Sequence, residues 1–163
     1  QDGEIELDGL PLSIVGPHSH RWYSSSVLQE AVLFSGTIKS NNSFNTAIIN
    51  MERVREVAKI AANDQDIPNL PLGYDSQIGE MGAVLSAGQQ QRVLIARALY
   101  QQPKILLLDE GTAHLDKQTE AVVMQNIKAL GISCIFVSHN QTLMSLADKI
   151  LVMEKDGYKL QRV

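Results

Sequence analysis

The chain has 163 residues, 44% of them hydrophobic and 20% charged, with 18 acidic side chains against 14 basic ones and a formal net charge of −4. That length suits one domain with a substantial core, and mild acidity spread along the chain argues against a nucleic-acid-binding face, which shows a basic stripe. The lone Cys134, in the apolar run 132–137, rules out an intramolecular disulfide, fits a reducing compartment and reads as a core residue. No apolar run approaches the ~20 residues that cross a bilayer, and no basic-apolar-small leader opens the chain. Because Gln1 is not an initiator methionine, the chain is expected to be processed or cut from something longer.

Glu4–Gly9 alternates polar and apolar residues and stops at a glycine, which predicts a half-exposed strand and turn. Residues 11–24, with Pro11, Gly16, Pro17 and a serine cluster, read as loop, and Ser26–Gln29 reads as a short strand ending in a polar side chain. From Met51 to Ala62 the apolar residues Val54, Val57, Ala58 and Ala61 recur at i, i+3, i+4 and i+7, the stripe of an amphipathic helix. Residues 63–84 hold two prolines and three glycines and predict a long connection. Ser86 begins a helix: Ser-x-x-Gln is a capping-box pattern, with Gln89 reaching back. That helix runs through Arg97 and Ala98 and ends before Pro103.

Strand 105–109 follows, then a turn, then a helix after Asp116 with Val123, Ile127 and Leu130 on one face and Gly131 at its end. Ser133–Val137 predicts a second buried strand, leading into Ser138-His139-Asn140. A short helix, a strand over Lys149–Met153, a turn at Asp156-Gly157 and a last strand close the pattern. Near-continuously apolar strands alternating with helices predict a parallel sheet covered on both faces. The stretch from about 30 to 98 reads as a helical subdomain inserted into an α/β core of residues 1–29 and 99–163.

Several residues are candidates for chemistry. Asp109 and Glu110 end a buried strand, where open α/β sheets place their ligand sites; an aspartate there holds Mg²⁺ through water, and the adjacent glutamate can polarise an attacking water as general base. Ser86, Gly88 and Gln89 open a helix, where free amides and the dipole attract anions and a glycine permits close approach. His139 can donate a hydrogen bond to a terminal phosphate, and Gln29, at another strand end, can touch Mg²⁺ or the attacking water. His18, His20 and His114 show no helical metal-ligand spacing. No G-x-S-x-G elbow supports a serine hydrolase. No glycine is followed by lysine, so the sequence contains no phosphate loop of the form G-x-x-x-x-G-K-S/T.

In order and spacing, these features resemble the nucleotide-binding domain of ATP-binding cassette (ABC) transporters. Val27–Glu30 with Leu33–Ile38 looks like the Q-loop and the exporter stretch after it. Leu85–Arg92 with Ala96–Leu99 resembles the signature helix, Ile105–Glu110 the Walker B strand, Ala113–Asp116 the D-loop and Val137–His139 the H-loop. Leu70–Asp75 with Ile78–Gly82 looks most like bacterial exporters of peptides and proteins, of the bacteriocin and type I secretion kind. There are small departures: Ala87-Gly88 stands where the family signature has two glycines, and Ala113 stands where serine is frequent.

The resemblance implies a P-loop NTPase-like (RecA-like) α/β fold with a mostly parallel sheet and an inserted helical subdomain. It implies ATP and Mg²⁺ as ligands, with Asp109 and Gln29 at the metal, Glu110 as catalytic base and His139 at the γ-phosphate. It pairs two such domains head-to-tail, so that Ser86, Gly88 and Gln89 cap the partner's ATP with Asp116 along the seam, and it couples them to transmembrane domains at the cytoplasmic face of the bacterial inner membrane. In the family, the match at Gly3–Gly9 follows the phosphate loop and its helix. The Walker A elements, with the adenine-stacking aromatic, the lysine and the Ser/Thr metal ligand, therefore have no counterpart here. The chain alone is expected to be inactive, the complete parent an ATPase powering export. The alternative is a non-catalytic cassette that pairs with or regulates a partner. Because the family places the phosphate-loop strand beside the one ending at His139, its absence is expected to expose a row of unpaired backbone groups, and the gap to be closed in an unusual way or by another chain.

Overall fold

A computed structural model describes residues 3–16, 23–78, 85–138, 140–154 and 157–162. Its centre is a three-stranded parallel sheet in the order β3-β6-β7, formed by Ser24–Val27, Ile105–Asp109 and Ser133–Val137. The ladder pairs Val27 with Leu108 and Asp109 with Val137, so the three strands end together at one carboxyl edge. β3 lies two residues earlier than its apolar pattern suggested. Its register is set by pairing with β6, extended by the Lys104 amide donating to the Tyr23 carbonyl at 2.7 Å, and Gln29 is left beyond the strand end.

Before the sheet, β1 (Glu6–Leu7) and β2 (Leu10–Pro11) form a small hairpin around the predicted turn at Asp8-Gly9, and a short helix α1 (Leu12–Val15) replaces part of the expected loop. β4 (Gly36–Thr37) pairs antiparallel with β5 (Gln77–Ile78), tying the start of the helical region to the long connection over 63–84. Helix α2 (Ile38–Asn42) is capped by the Thr37 hydroxyl, which accepts from the Ser40 amide. Helix α3 (Met51–Ile60) is capped by Asn50 and buries the predicted stripe, with Val54, Val57, Ala58 and Ala61 all at 0% exposure. The connection after it is ordered into 3-10 turns at Ile67–Asn69 and Gly73–Asp75. The Gly79–Gly82 part of the exporter-like segment lies outside the described residues.

Helix α4 (Ala87–Tyr100) is the hub. Leu94, Ile95, Ala96, Ala98 and Leu99 join the core beneath the sheet, while Val93 joins a second cluster with Ile38, Ala58, Ile67 and Leu85. Each large apolar side chain so buried contributes about 1.5–3 kcal/mol. Helix α5 (Lys117–Ala129) adds Val123, Met124 and Ile127 to the sheet core, and its chain leaves through Gly131 at φ 65°. A short helix α6 (Gln141–Met144) precedes β8 (Lys149–Glu154) and β9 (Gly157–Arg162). These two strands pair with each other antiparallel and do not extend the parallel sheet; Asp156 of the predicted turn lies outside the described residues.

The expectation of a sheet covered on both faces is overturned. Leu106 and Leu108 are buried, with Cys134 and Phe136 packed partly buried on the same core, whereas the alternate positions Leu107, Ile135 and Val137 are 38%, 62% and 53% exposed. Period-two alternation puts these residues on opposite faces, and the helices of the described chain cover only one. Among the described residues β7, the strand leading to His139, pairs with β6 alone, and no unusual closure of its outer edge is seen.

Candidate functional site

The parallel sheet concentrates the candidate residues at its carboxyl edge. Gln29 follows β3 and Asp109 ends β6, both exposed, and Glu110 follows directly. Glu110 adopts φ 49°, a left-handed conformation that is strained by about 1–3 kcal/mol in a non-glycine residue and persists where its surroundings impose it. The kink ends the strand at Asp109 and starts a turn in which the Ala113 amide donates to the Glu110 carbonyl at 3.0 Å. Gly111 is buried beneath the turn, and a Cβ there would lie 3.1 Å from Leu108 Cβ and 3.2 Å from its Cδ2. His139 lies outside the described residues, so its assignment rests on the sequence; its neighbours Ser138 and Asn140 follow β7 at the same edge.

The anion-binding candidates sit at the start of α4. The capping box is formed as predicted: the Gln89 amide donates to Ser86 Oγ at 3.2 Å and the Ser86 amide to Gln89 Oε1 at 3.0 Å. Gly88 approaches the loop before α5 closely, since a Cβ there would be 3.1 Å from the His114 carbonyl oxygen. Asp116 caps α5, accepting from the amides of Gln118 at 3.1 Å and Thr119 at 3.0 Å. Hydrogen bonds from Thr119, reinforced by the Gln118 amide, hold its carboxyl below the usual aspartate range. The cap of α4 and the acidic pair are joined through Gln91, whose buried Nε2 donates to the Gly111 carbonyl.

Sequence reading missed the side chains that hold these parts in place. The Arg97 guanidinium lies 4.6 Å from the Phe34 ring centre and 5.8 Å from that of Phe44, and its Nη1 donates to the Val32 carbonyl at 3.1 Å. It therefore pins the exporter-like stretch after Gln29 onto α4 by cation–π attraction; burial lowers its pKa from the ordinary arginine value. Asn41 closes the same stretch, accepting from the Phe34 amide at 2.8 Å and donating to the Phe34 carbonyl at 2.9 Å. Buried Glu120 accepts from Thr112 Oγ1 at 2.6 Å and from Asn140 Nδ2 at 2.5 Å. The aromatics after Gln29 were a signal for Arg97; nothing local pointed to Glu120. Cys134 is half-buried and its thiol is pushed up to about 11 by that burial, which suits a packing residue rather than a nucleophile.

A parallel α/β sheet with carboxylates at its carboxyl edge and a capped helix start beside them places polar side chains where open α/β sheets bind their ligands. A family model described as ABC transporter matches residues 1–113, and the chain belongs to the ABC transporter family. It is similar to the leukotoxin translocation ATP-binding protein LktB of Mannheimia glucosida, with 40% identity over 157 residues, 95% of this chain and 22% of that protein. It is similar too to the toxin RTX-III translocation ATP-binding protein of Actinobacillus pleuropneumoniae, with 39% identity over the same share of both. Among solved structures, a bacterial Atm1-family ABC exporter with ATP bound superimposes with a TM-score of 0.86 at 37% identity, over 94% of this chain and 27% of that one. The chain thus spans about a fifth of the length of these curated relatives. No helix among the described residues is long and apolar enough to cross a membrane.

Proposed function

We propose that this chain contributes the metal-binding, water-activating and signature parts of an ATP-hydrolysing cassette in a bacterial exporter of proteins or peptides. The observation that carries the reading is the convergence of Gln29, Asp109 and Glu110 on one carboxyl edge, with the α4 capping box joined to that edge through Gln91 and Gly111. The names of the toxin-translocation relatives support the substrate class. Residues of about 30–98 act as the helical subdomain, consistent with the separate cluster of Ile38, Ala58, Ile67, Leu85 and Val93.

The oxygen donors at the edge fit Mg²⁺, which binds through one or two carboxylates, waters and substrate phosphates rather than an all-protein cage. Asp109 and Gln29 would hold it, and the ion would neutralise charge on the phosphates when bound. Glu110 accepts a proton from water, and its fixed backbone turn limits where that proton can be taken. His139 donates to the terminal phosphate. Ser86, Gly88 and Gln89 cap the phosphate held by a second cassette in a head-to-tail pair. Gly88 does so with its amide, and Ser86 and Gln89, whose amides are spent in the capping box, with their side-chain donors; Asp116 lies along the shared seam. Transmembrane domains and a site at the cytoplasmic face of the inner membrane complete the assembly. A cradle of amides and lysine for the remaining phosphates is not encoded in these 163 residues.

The test is ATP turnover by the exporter carrying this sequence. Glu110→Gln lowers kcat by about 10²–10⁴-fold while ATP binding persists. Unchanged turnover would remove Glu110 as base, and an exporter that binds ATP but never hydrolyses it would favour the non-catalytic pairing module.

A further inference from the structure

The buried carboxylate of Glu120 links two loops that the sheet leaves side by side. The β6–β7 ladder ends at the pair Asp109 and Val137. Beyond it, among the described residues, the turn at 110–113 and the residues Ser138 and Asn140 share no further ladder bond. Glu120, on α5 and only 6% exposed, bridges them: one oxygen accepts from Thr112 Oγ1 at 2.6 Å and the other from Asn140 Nδ2 at 2.5 Å. Asn140 is committed on every side. Its Oδ1 caps α6 by accepting from the Thr142 amide at 2.9 Å, its own amide donates to Ser138 Oγ at 3.0 Å, and its carbonyl accepts from the Leu143 and Met144 amides at 3.1 and 3.2 Å.

We propose that Glu120 is a positioning residue that locks the turn carrying Glu110 to the segment after β7, and so sets the width of the carboxyl edge. The chemistry explains why a carboxylate stands there. Two donors arrive from two loops, and only a carboxylate accepts from both with no donor of its own. The inference rests on the ATPase reading for its catalytic consequence, not for the bridge itself.

That logic makes an unusual prediction for the amide variant. In Glu120→Gln, the amide oxygen accepts from Asn140 while the new NH₂ faces Thr112, whose hydroxyl turns round and accepts. Thr112 thus rescues the substitution. Adding Thr112→Val removes that acceptor and strands a buried donor. Hydrogen exchange of the 163-residue chain tests the bridge directly. The Thr142, Leu143 and Met144 amides in Glu120→Gln exchange close to the parent rate, whereas in Glu120→Gln/Thr112→Val they exchange roughly 5- to 100-fold faster, the cost of an unsatisfied buried polar group. The α4 amides stay unchanged in both. Equal exchange in the two variants, or a uniform rise that includes α4, overturns the bridge.

In the exporter, the double variant lowers kcat about tenfold or more relative to Glu120→Gln, with KM for ATP within about twofold, as displacement of a reacting edge does. A change in KM alone overturns the positioning role. A parent exporter without ATP turnover would defeat the functional reading above and leave exchange to decide the bridge by itself.

Discussion

Gly111 shows how narrowly the acidic turn is built. Glu110 is left-handed, and the following residue must tuck under it against Leu108, where a Cβ would meet side-chain carbons at 3.1 and 3.2 Å. Leu108 is itself 2% exposed and cannot swing away. Gly111→Ala is therefore expected to destabilise the fold by about 1–3 kcal/mol through overpacking, read as a lower urea midpoint at unchanged slope. The positions of Asp109, Glu110 and the Ser86–Gln89 box were legible in the sequence, because each depends on neighbours within a few residues. The strained φ of Glu110 and the crowding at Gly111 were not, since both arise from packing against the strand beneath.

At the scale of elements, the helices were the more readable parts. The i, i+3, i+4, i+7 stripe of α3 became its buried face, and α4 ended before Pro103. Strand β7 was less readable, because Cys134, Ile135, Phe136 and Val137 are all apolar and their pattern does not say which face is covered. The structure answers with alternation, placing Phe136 against the core and leaving Val137 53% exposed. The contrast is measurable by urea unfolding. Leu99→Ala, in α4 at 1% exposure, is expected to cost about 2–5 kcal/mol through the cavity it leaves. Val137→Ala is expected to stay within about 0.5 kcal/mol, as for a surface substitution.

At the scale of the whole molecule, two features of the described residues favour association: the apolar side chains of Leu107, Ile135 and Val137 are exposed on one sheet face, and β7 pairs with β6 alone. Ile135→Lys/Val137→Lys places charge on that face and is expected to raise the solubility limit of the chain and suppress concentration-dependent scattering without shifting its melting temperature. Equal scattering by the parent and the double variant would show that this face does not drive association.

Order and spacing along the sequence determined the family, the helix starts at Ser86 and Asp116, helices α3 to α6 and the candidate chemistry of Asp109 and Glu110, because those signals depend on residues close together in the chain. The tertiary structure decided which sheet face is covered, where β3 stops, how Arg97 pins the stretch after Gln29 and how Glu120 joins Thr112 to Asn140. The last two cross 65 and 20 residues of chain, to Val32 and Asn140. Such contacts leave no local pattern, because they exist only when the packing of helices on the sheet brings distant donors and acceptors within hydrogen-bond reach.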